Sequence, residues 1–332
     1  MEQSKKGVTI IGSGSATSPQ ILDNNDLSKI VETSDDWITS RTGIRKRHLA
    51  DSQSLSDLAA QAATKAIKNA GLNAQEIDLI ILATSTPDDL FGSASKVQSL
   101  VGAKNAVAFD LTAACSGFVF GLVTASQFIR NGVYKNVVVI GADCLSRWVD
   151  WNDRTTCVLF GDGAGAVVCQ GSDSQDNLLG FQMHSNGDLN ACLNLSYQGD
   201  IKDIGADKQV SQGGYSAITM NGREVYRFAV SKVPEVIEKA LSKSYLSSND
   251  IDWLILHQAN QRILDAVAKR LKIDSQKVIS NLSEYGNTSA ASIPLALDEA
   301  VQAGKIKSGD TIATSGFGAG LTWGSAIFKW GN

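Results

Sequence analysis

Three side chains could together supply a nucleophile, a proton-transfer group and a hydrogen-bond donor: Cys115, His257 and Asn287. Cys115 lies between the apolar run 106–111, which predicts a buried strand, and a helical pattern that begins at Gly117. At such a turn the free N–H groups and the dipole of the helix stabilise a thiolate, so we expect a lowered thiol pKa. The alternative is that Cys115 is a small core residue, which is the common place for a free cysteine.

His257 directly follows a run that predicts a buried strand, and the carboxyl end of such a strand is a usual place for a residue of a cleft. The alternative is a structural, hydrogen-bonded histidine. His48 and His184 are weaker candidates, because His48 lies among basic residues and is expected to be solvated, and His184 lies in a polar segment. The remaining cysteines are predicted to be structural: Cys144, Cys157, Cys169 and Cys192.

The elements that must position these residues alternate between helical and strand patterns. Helices are predicted at 55–70, 117–130 and 224–241, the last with Pro234 as a kink or first-turn residue. Buried strands are predicted at 77–82, 106–111, 137–140 and 251–256. This alternation predicts an α/β fold with helices on both faces of the sheets.

Segments of the chain also resemble one another in the same order. The run 76–82 resembles 250–256 at an offset of 174 positions, and the helix that ends at Gly132 matches the one that ends at Gly304, 172 positions later. The alternative is the loose self-similarity that any α/β chain shows. The constant offset favours an internal duplication.

We therefore predict two similar halves, a first half at 1–172 that holds the cysteine and a second at 173–332 that holds the histidine and the asparagine. The polar segment 184–214 reads as an inserted loop region. Adding 172 to the position of Cys115 gives Asn287. Equivalent turns of the two halves would then face one cleft.

Composition excludes several classes of protein. The 332 residues are 43% hydrophobic with a net charge of −4, which fits a large folded core and argues against a nucleic-acid partner. Five cysteines, with no pair or cluster at zinc spacing, predict neither a disulfide framework nor a metal site. With no signal-peptide pattern and no long apolar run, we expect no membrane insertion and a cytoplasmic location.

Several motifs are specific when they occur together. They are Thr33-Ser34-Asp35-Asp36-Trp37 with Arg41-Thr42-Gly43-Ile44, Ala113-Ala114-Cys115-Ser116-Gly117, Phe160-Gly161-Asp162-Gly163-Ala164-Gly165, His257-Gln258-Ala259-Asn260 and Gly286-Asn287-Thr288-Ser289. Nearly end to end, the chain resembles the β-ketoacyl-(acyl-carrier-protein) synthase III family of thiolase-like condensing enzymes. The resemblance implies a five-layered α/β/α/β/α thiolase-like fold and a homodimer. It also implies an acyltransferase without a cofactor, because coenzyme A is part of a substrate.

The implied reaction is a decarboxylating Claisen condensation that initiates fatty acid synthesis. Cys115 would take an acyl group, most simply acetyl, from an acyl-CoA. Malonyl-acyl-carrier protein would then lose CO₂, and its carbanion would attack the acyl-enzyme to give a 3-oxoacyl-carrier protein. His257 and Asn287 would hydrogen-bond the malonyl thioester oxygen, while the N–H groups of Cys115 and Gly320 would hold the oxyanion.

The resemblance also implies contacts with the substrates. The positions for the CoA and pantetheine groups are Thr33, Trp37, Arg41, Arg154, Gly222, Asn260 and Arg262. Of these, Trp37 and Arg154 would sandwich the adenine, and Arg41 would contact a phosphate. Phe91 would close the acyl pocket of the neighbouring subunit.

A basic stretch, Arg262, Lys269, Arg270 and Lys272, stands out in an otherwise acidic chain. We interpret Arg262, Lys269 and Arg270 as a docking surface for the acidic carrier protein; the alternative is a set of solvated charges. Charge reversal at Arg262 should then weaken the use of carrier protein and spare priming by acyl-CoA.

Two other functions remain open from the sequence. One is a related acyltransferase or thioester hydrolase that uses the same cysteine, histidine and asparagine without forming a C–C bond. The other is a binding module for CoA esters or carrier protein that has kept the fold but not the chemistry. The intact set of Cys115, His257 and Asn287 argues against the second.

Overall fold

The structure is a computed structural model that describes residues 6–331. Residues 1–5, at the N-terminus where no signal-peptide pattern was found, lie outside the described residues. The strands are β1 Gly7–Ala16, β2 Ile21–Asp23, β3 Lys46–His48, β4 Leu79–Ala83, β5 Val107–Leu111, β6 Asn136–Cys144, β7 Asp162–Ser172, β8 Leu178–Ser185, β9 Leu193–Asn194, β10 Tyr197–Gly205, β11 Lys208–Tyr215, β12 Thr219–Met220, β13 Trp253–Leu256, β14 Val278–Ile279, β15 Thr311–Gly318 and β16 Thr322–Lys329. The α-helices are α1 Asn24–Leu27, α2 Asp35–Thr42, α3 Leu55–Asn69, α4 Ala94–Val101, α5 Gly117–Arg130, α6 Gly222–Lys243, α7 Gln261–Leu271, α8 Leu282–Tyr285 and α9 Ser292–Gln302.

Two five-stranded sheets share one topology. The first has the order β1-β7-β6-β4-β5 and the second the order β8-β16-β15-β13-β14. In both, the first three strands are antiparallel to their neighbours and the last three are parallel. The two similar halves expected from the sequence are therefore present as two matching sheets. The exact division at 172/173 stays a prediction; β7 ends at Ser172.

Five layers follow from which side chains pack together. Helices α5 and α9 lie between the sheets, where Phe118 and Leu297 share one core with Ile81 of the first sheet and Ile255 of the second. Helices α3 and α4 cover the outer face of the first sheet. Helices α6 and α7 cover the outer face of the second sheet.

The central strands read as continuous apolar runs because both of their faces are buried. In β4, Leu79 and Ile81 point to the middle layer, whereas Ile80 and Leu82 point to α3 and α4. Strand β4 begins two residues later than predicted, and β6 extends further at its carboxyl end. That extension brings Asp143 into the strand, which matters for the site.

Three expectations need correction. The run 106–111 was expected to be a buried strand, but β5 is the edge of its sheet and Val107 is 52% exposed. Pro234 marks no first turn, because α6 begins twelve residues before it and continues past it. Within 184–214 the chain forms an exposed hairpin of β10 and β11, with both turn residues, 206 and 207, in the left-handed region that such a turn requires.

No helix among residues 6–331 is long and apolar enough to cross a membrane. In the same range, no group of three or more His, Cys, Asp or Glu side chains is placed to hold a metal ion.

Candidate active site

Cys115 lies on the turn that joins β5 to α5, as predicted. A short 3₁₀ segment, Ala114–Ser116, makes the turn, and Ala114 adopts a left-handed φ of 47°. Cys115 is 7% exposed, and the hydroxyl of Ser289 donates to its Sγ at 3.3 Å. The thiol therefore sits at the start of a buried helix with one hydroxyl against it.

The carboxyl end of β15 packs its backbone directly against the turn that carries Cys115. A Cβ added at Gly316 would meet Cys115 O at 2.9 Å, and one added at Gly318 would meet Cys115 N at 2.5 Å. The Thr322 hydroxyl donates to Ala113 O at 2.9 Å. Gly320 lies in the turn between β15 and β16 with a φ of 126°, close in sequence to the glycines that contact the cysteine backbone.

The expected lowering of the Cys115 pKa is wrong. Burial raises the pKa of the thiol to about 12, and the nearby Asp143 carboxylate raises it further. The hydrogen bond from Ser289 acts in the opposite direction. Taking a thiolate out of water costs more free energy than the hydrogen bond from Ser289 provides. The resting cysteine is therefore a thiol rather than a thiolate.

His257 follows β13 and is held on three sides. Its backbone N–H donates to Ser315 O at 2.8 Å, its ring stands edge-on to Phe317 with centroids 5.3 Å apart, and Nδ1 lies 2.8 Å from Ser292 Oγ. The residue is 2% exposed, and burial lowers its pKa to about 3. The imidazole is therefore neutral at ordinary pH, and Nε2 is the ring nitrogen left for a ligand.

Asn287 precedes the 3₁₀ segment that leads into α9. Its backbone pairs with Leu159 O at 2.8 Å and with Gly161 N at 3.0 Å, which fixes the residue against the glycine-rich segment before β7. Its side-chain Oδ1 accepts from Ser289 N at 2.9 Å. This contact leaves the Nδ2 group as the donor that Asn287 can offer to a substrate.

One short segment, 287–292, thus ties the three predicted residues together. It carries Asn287 itself, the Ser289 hydroxyl on Cys115 and the Ser292 hydroxyl on His257. The proposed symmetry needs a correction, however. The left-handed residue of the second turn is Ser289, with a φ of 51°, and it matches Ala114 at a spacing of 175 positions.

Cys115 is consequently equivalent to the residue after Ser289, which is Ala290, and not to Asn287. The three-residue error arose because the offset was taken from the ends of helices. Helix α9 has 11 residues and α5 has 14, so the offset falls from 175 at the helix starts to 172 at the helix ends.

A second group of predicted residues gathers on α2 and α7. The guanidinium carbons of Arg41 and Arg154 lie 5.0 and 5.2 Å from the centre of the Trp37 ring. Arg41 O accepts from Asn260 Nδ2 at 3.0 Å and from Arg262 Nε at 2.8 Å. These five residues, which the sequence analysis assigned to CoA, therefore form one connected group in the structure.

The other positions assigned to CoA are less directly connected. Thr33 lies just before α2, and its buried hydroxyl has no hydrogen-bond partner within the described chain. Gly222 is the first residue of α6 and is exposed. Met220, two residues before it, packs against the same apolar cluster as Trp37.

Phe91 and the basic stretch lie on the surface. Phe91 is 99% exposed, so it closes no pocket within its own chain. Arg262, Lys269 and Arg270 lie on α7 and are exposed. Arg270 donates to the backbone oxygens of Val230 and Ser231 at 3.3 Å, which ties it to α6.

The two histidines judged weaker lie away from the cysteine. His48 is half-buried and not solvated as expected: Nδ1 contacts Ser18 O at 2.6 Å and the ring stacks on Tyr285. His48 lies on β3 next to Arg47, whose side chain is fully buried. His184 stacks on Trp323 on the exposed end of the second sheet.

Sequence reasoning did not assign three polar residues that touch the site: Asp143, Ser289 and Ser292. A signal for Asp143 existed, because a carboxylate at the end of an apolar strand needs an explanation. Ser289 stands in the motif that contains Asn287 and Ser292 follows three residues later, but nothing in the sequence separates them from other small residues of a turn.

Comparisons with known proteins agree with this arrangement. Residues 109–187 match the family described as 3-oxoacyl-[acyl-carrier-protein (ACP)] synthase III, and residues 241–330 match its C-terminal family. The chain is 69% identical over 326 residues to the beta-ketoacyl-[acyl-carrier-protein] synthase III of Microcystis aeruginosa and 67% identical to that of a Nostoc species, in each case over 98% of both chains.

Solved structures give the same result. The 3-oxoacyl-[acyl-carrier-protein] synthase III of Aquifex aeolicus superposes with a TM-score of 0.90 at 45% identity, covering 98% of this chain and all of that one. The enzyme of Pseudomonas aeruginosa superposes with a TM-score of 0.88 at 38% identity, covering 98% and 99%. The fold is therefore thiolase-like, and the chain belongs to the β-ketoacyl-[acyl-carrier-protein] synthase III family of condensing enzymes.

Proposed function

We propose that the protein condenses an acyl-CoA primer, most simply acetyl-CoA, with malonyl-acyl-carrier protein to give a 3-oxoacyl-carrier protein, CoA and CO₂, and so initiates fatty acid synthesis. The observation that carries the proposal is the segment 287–292. It carries Asn287, and it brings one hydroxyl to the thiol of Cys115 and another to the imidazole of His257. The reaction uses CoA as part of a substrate and needs no cofactor.

The first half-reaction acylates the enzyme. Cys115 Sγ attacks the thioester carbon, the C–S bond to CoA breaks, and CoA leaves. The tetrahedral oxyanion would be held by the N–H groups of Cys115 and Gly320, since the β15–β16 turn lies against the cysteine backbone.

The second half-reaction forms the C–C bond. Malonyl-carrier protein loses CO₂, the resulting carbanion attacks the acyl carbon on Cys115, and the thiolate leaves. His257 Nε2 and Asn287 Nδ2 would donate to the thioester oxygen as enolate charge develops. A neutral imidazole suits this role because it offers a hydrogen bond without adding a charge to a buried site.

Substrate binding follows the group around Trp37. The adenine of CoA would insert between Trp37 and Arg154, which requires the arginine to move outward from its present 5.2 Å distance. Arg41 would contact a phosphate, with Thr33 at the edge of the site. Gly222, Asn260 and Arg262 would line the path of the pantetheine arm to Cys115.

We also propose a homodimer that forms through the edge of the first sheet. Strand β5 has a free edge, and Leu90 and Phe91 beside it are 78% and 99% exposed. Asp110 of β5 accepts from the N–H groups of 93 and 94, so the loop with Phe91 is fixed to this edge. Phe91 would then reach the acyl pocket of the neighbouring subunit.

The carrier protein would dock on α7. Arg262 and Lys269 are seven residues apart and share one face of the helix, and carrier proteins of this kind are acidic. The cytoplasmic location expected from the sequence stays a prediction.

One experiment tests the function directly. Labelled acetyl-CoA and malonyl-carrier protein are supplied together, and CO₂ release and the carrier-bound product are measured. We expect one CO₂ for each new C–C bond, and Cys115→Ser should prevent any acyl group from appearing on the intact protein by mass spectrometry. Hydrolysis or acetyl transfer alone would favour the thioesterase or acyltransferase alternative, and full turnover by Cys115→Ala would favour a binding module.

A further inference from the structure

Acylation of Cys115 requires that its proton go somewhere. The thiolate is the nucleophile, yet burial raises the pKa of this thiol to about 12. His257 does not take the proton, because no hydrogen bond joins its ring to Cys115 Sγ among residues 6–331, and Nδ1 is held by Ser292. The one side-chain hydrogen-bond partner of Sγ in that range is the hydroxyl of Ser289.

Behind Ser289 lies a buried carboxylate, Asp143, at the end of β6. Its Oδ1 accepts three hydrogen bonds from the segment 84–86, at 2.8 to 3.2 Å. Its Oδ2 accepts from Ala290 N at 3.2 Å, the residue next to Ser289, and the Ser289 side chain acts to lower the pKa of the same carboxyl group. Oδ2 is therefore the less saturated oxygen, and it faces the turn that carries Ser289.

The surroundings make Asp143 a usable base. It is fully buried, and burial raises the pKa of its carboxyl group above the ordinary value. Among the described residues, Asp143 is the charged group whose field raises the Cys115 pKa. The adjacent titratable group is Cys144, the next residue of β6, which stays a thiol because burial raises its pKa.

We propose that Ser289 and Asp143 remove the proton of Cys115 during acylation. The Ser289 hydroxyl first rotates so that its proton points from Sγ to Asp143 Oδ2. The thiol proton then passes to Ser289 Oγ while the hydroxyl proton passes to Oδ2, and Sγ attacks the thioester carbon. When the C–S bond to CoA breaks, the proton returns through Ser289 to the departing sulfur. Protons balance, with no group beyond enzyme and substrate. This inference rests on the proposed role of Cys115 as the acylated nucleophile.

The test isolates acylation from condensation. Rapid quenching with acetyl-CoA alone gives the acylation rate from intact mass, as a function of pH and in mixtures of H₂O and D₂O. We expect a solvent isotope effect with a curved proton inventory in the natural protein, since two protons move together. Ser289→Ala should slow acylation about 100-fold, abolish the curvature and flatten the acid side of the pH profile. Asp143→Asn should do the same.

Folding is not expected to limit the serine variant, because Ala114 shows that an alanine adopts the same left-handed conformation in the matching turn. Thr86→Val is the matched control: it removes a 2.9 Å hydrogen bond to Asp143 Oδ1 and the acceptor of a 2.8 Å hydrogen bond from Cys144 N, but leaves Ser289 and Oδ2 in place. It should keep the curved inventory and the pH profile.

Two results would overturn the relay. One is acylation of Ser289→Ala at the natural rate with the same pH profile. The other is an equal slowing of Ser289→Ala and Thr86→Val with the isotope effect intact, which would reveal a purely structural role. Failure of the natural protein to form any acyl-cysteine is a different result, and it would overturn the proposed function along with the relay.

Discussion

Burial keeps the His257 imidazole uncharged, and its neighbours decide which nitrogen carries the proton. Ser292 Oγ accepts from Gln258 N at 3.2 Å and lies 2.8 Å from His257 Nδ1. The hydroxyl proton of Ser292 is available for Nδ1, and when it is donated there the ring proton lies on Nε2. The side chain is thereby prepared as a hydrogen-bond donor toward the space in front of Cys115.

The two donors should matter in one half-reaction only. We predict that His257→Ala and Asn287→Ala each lower decarboxylation of malonyl-carrier protein by about 100-fold or more while acylation by acetyl-CoA changes little. Labelled CO₂ release and intact mass report the two steps separately. An equal loss in both steps would show that these residues act earlier, on the thiol.

The depressed pKa of His257 also has a consequence for stability. Folded His257 has a pKa of about 3 against an ordinary value of 6.5, so between these values the unfolded chain binds a proton that the folded chain does not. The free energy of unfolding should therefore fall as the pH is lowered from about 6.5, by up to about 1.4 kcal/mol per pH unit.

Urea unfolding of the natural protein and of His257→Gln at pH 7 and pH 5 checks this. The variant should lose less stability between the two pH values than the natural protein does. Identical losses would mean that another group controls acid stability.

Residue types and motifs identify the proposed reacting groups, but they do not show which other side chains contact and orient those groups. Cys115 and His257 are visible in the sequence because each follows a run that predicts a buried strand, and Asn287 is visible through the repeat offset and its motif. The sequence does not show which residues are buried, and burial raises the pKa of Cys115, which was expected to be lowered. Asp143 and the two serines become functional candidates only when segments from distant parts of the chain meet.

At the scale of elements, the carboxyl end of β15 shapes the site because its glycines have no side chains. Gly318 brings its backbone so close to Cys115 N that a Cβ would overlap it at 2.5 Å. The end of β15 can therefore lie directly against the backbone of Cys115, the proposed nucleophile.

Gly318→Ala should accordingly displace the nucleophile turn. We expect a loss of acylation of at least 10-fold and a loss of about 1–3 kcal/mol of stability, measured by rapid quenching and by denaturant unfolding. Gly214→Ala is the control, because its Cβ would meet nothing within 4 Å. Natural acylation by Gly318→Ala would show that the turn yields without moving Cys115.

Patterns in the sequence predicted elements best where both faces are buried. The helix 117–130 agrees with the structure at both ends, and the runs within β4, β6 and β13 are continuous. The environment of β5 could not be predicted, because an apolar strand at a sheet edge has the same sequence as one in the middle. The hairpin of β10 and β11 was missed because its strands are polar and exposed on both faces.

At the scale of the whole molecule, the exposed edge of β5 suggests a second subunit. Val107→Lys places a charge on that edge, where an apolar partner would cover it, and should give monomers with little condensing activity because Phe91 no longer reaches the neighbouring pocket. Analytical ultracentrifugation checks the mass. Val133→Lys, at an equally exposed valine elsewhere, should remain a dimer. If Val107→Lys remains a dimer as well, the interface lies on another face.

The carrier-protein surface can be tested without disturbing the CoA site. Within residues 6–331, Lys269 makes no hydrogen bond or ion pair with the Trp37 group, whereas Arg262 contacts Arg41 O, so Lys269→Glu is the cleaner charge reversal. It should raise the KM for malonyl-carrier protein about 10-fold at low salt and leave acylation by acetyl-CoA unchanged. Lys305→Glu, on an exposed position outside α7, is the control. Equal effects on both substrates would place Lys269 at the CoA site.

The matching turns at Ala114 and Ser289 show what a fused chain makes possible. Both are left-handed and both open onto the same small space, yet one is followed by the thiol and the other carries the hydroxyl against it. Two identical chains related by symmetry would have to place the same residue in both turns. Because both copies belong to one polypeptide, the two turns can carry different residues although their backbone conformations match.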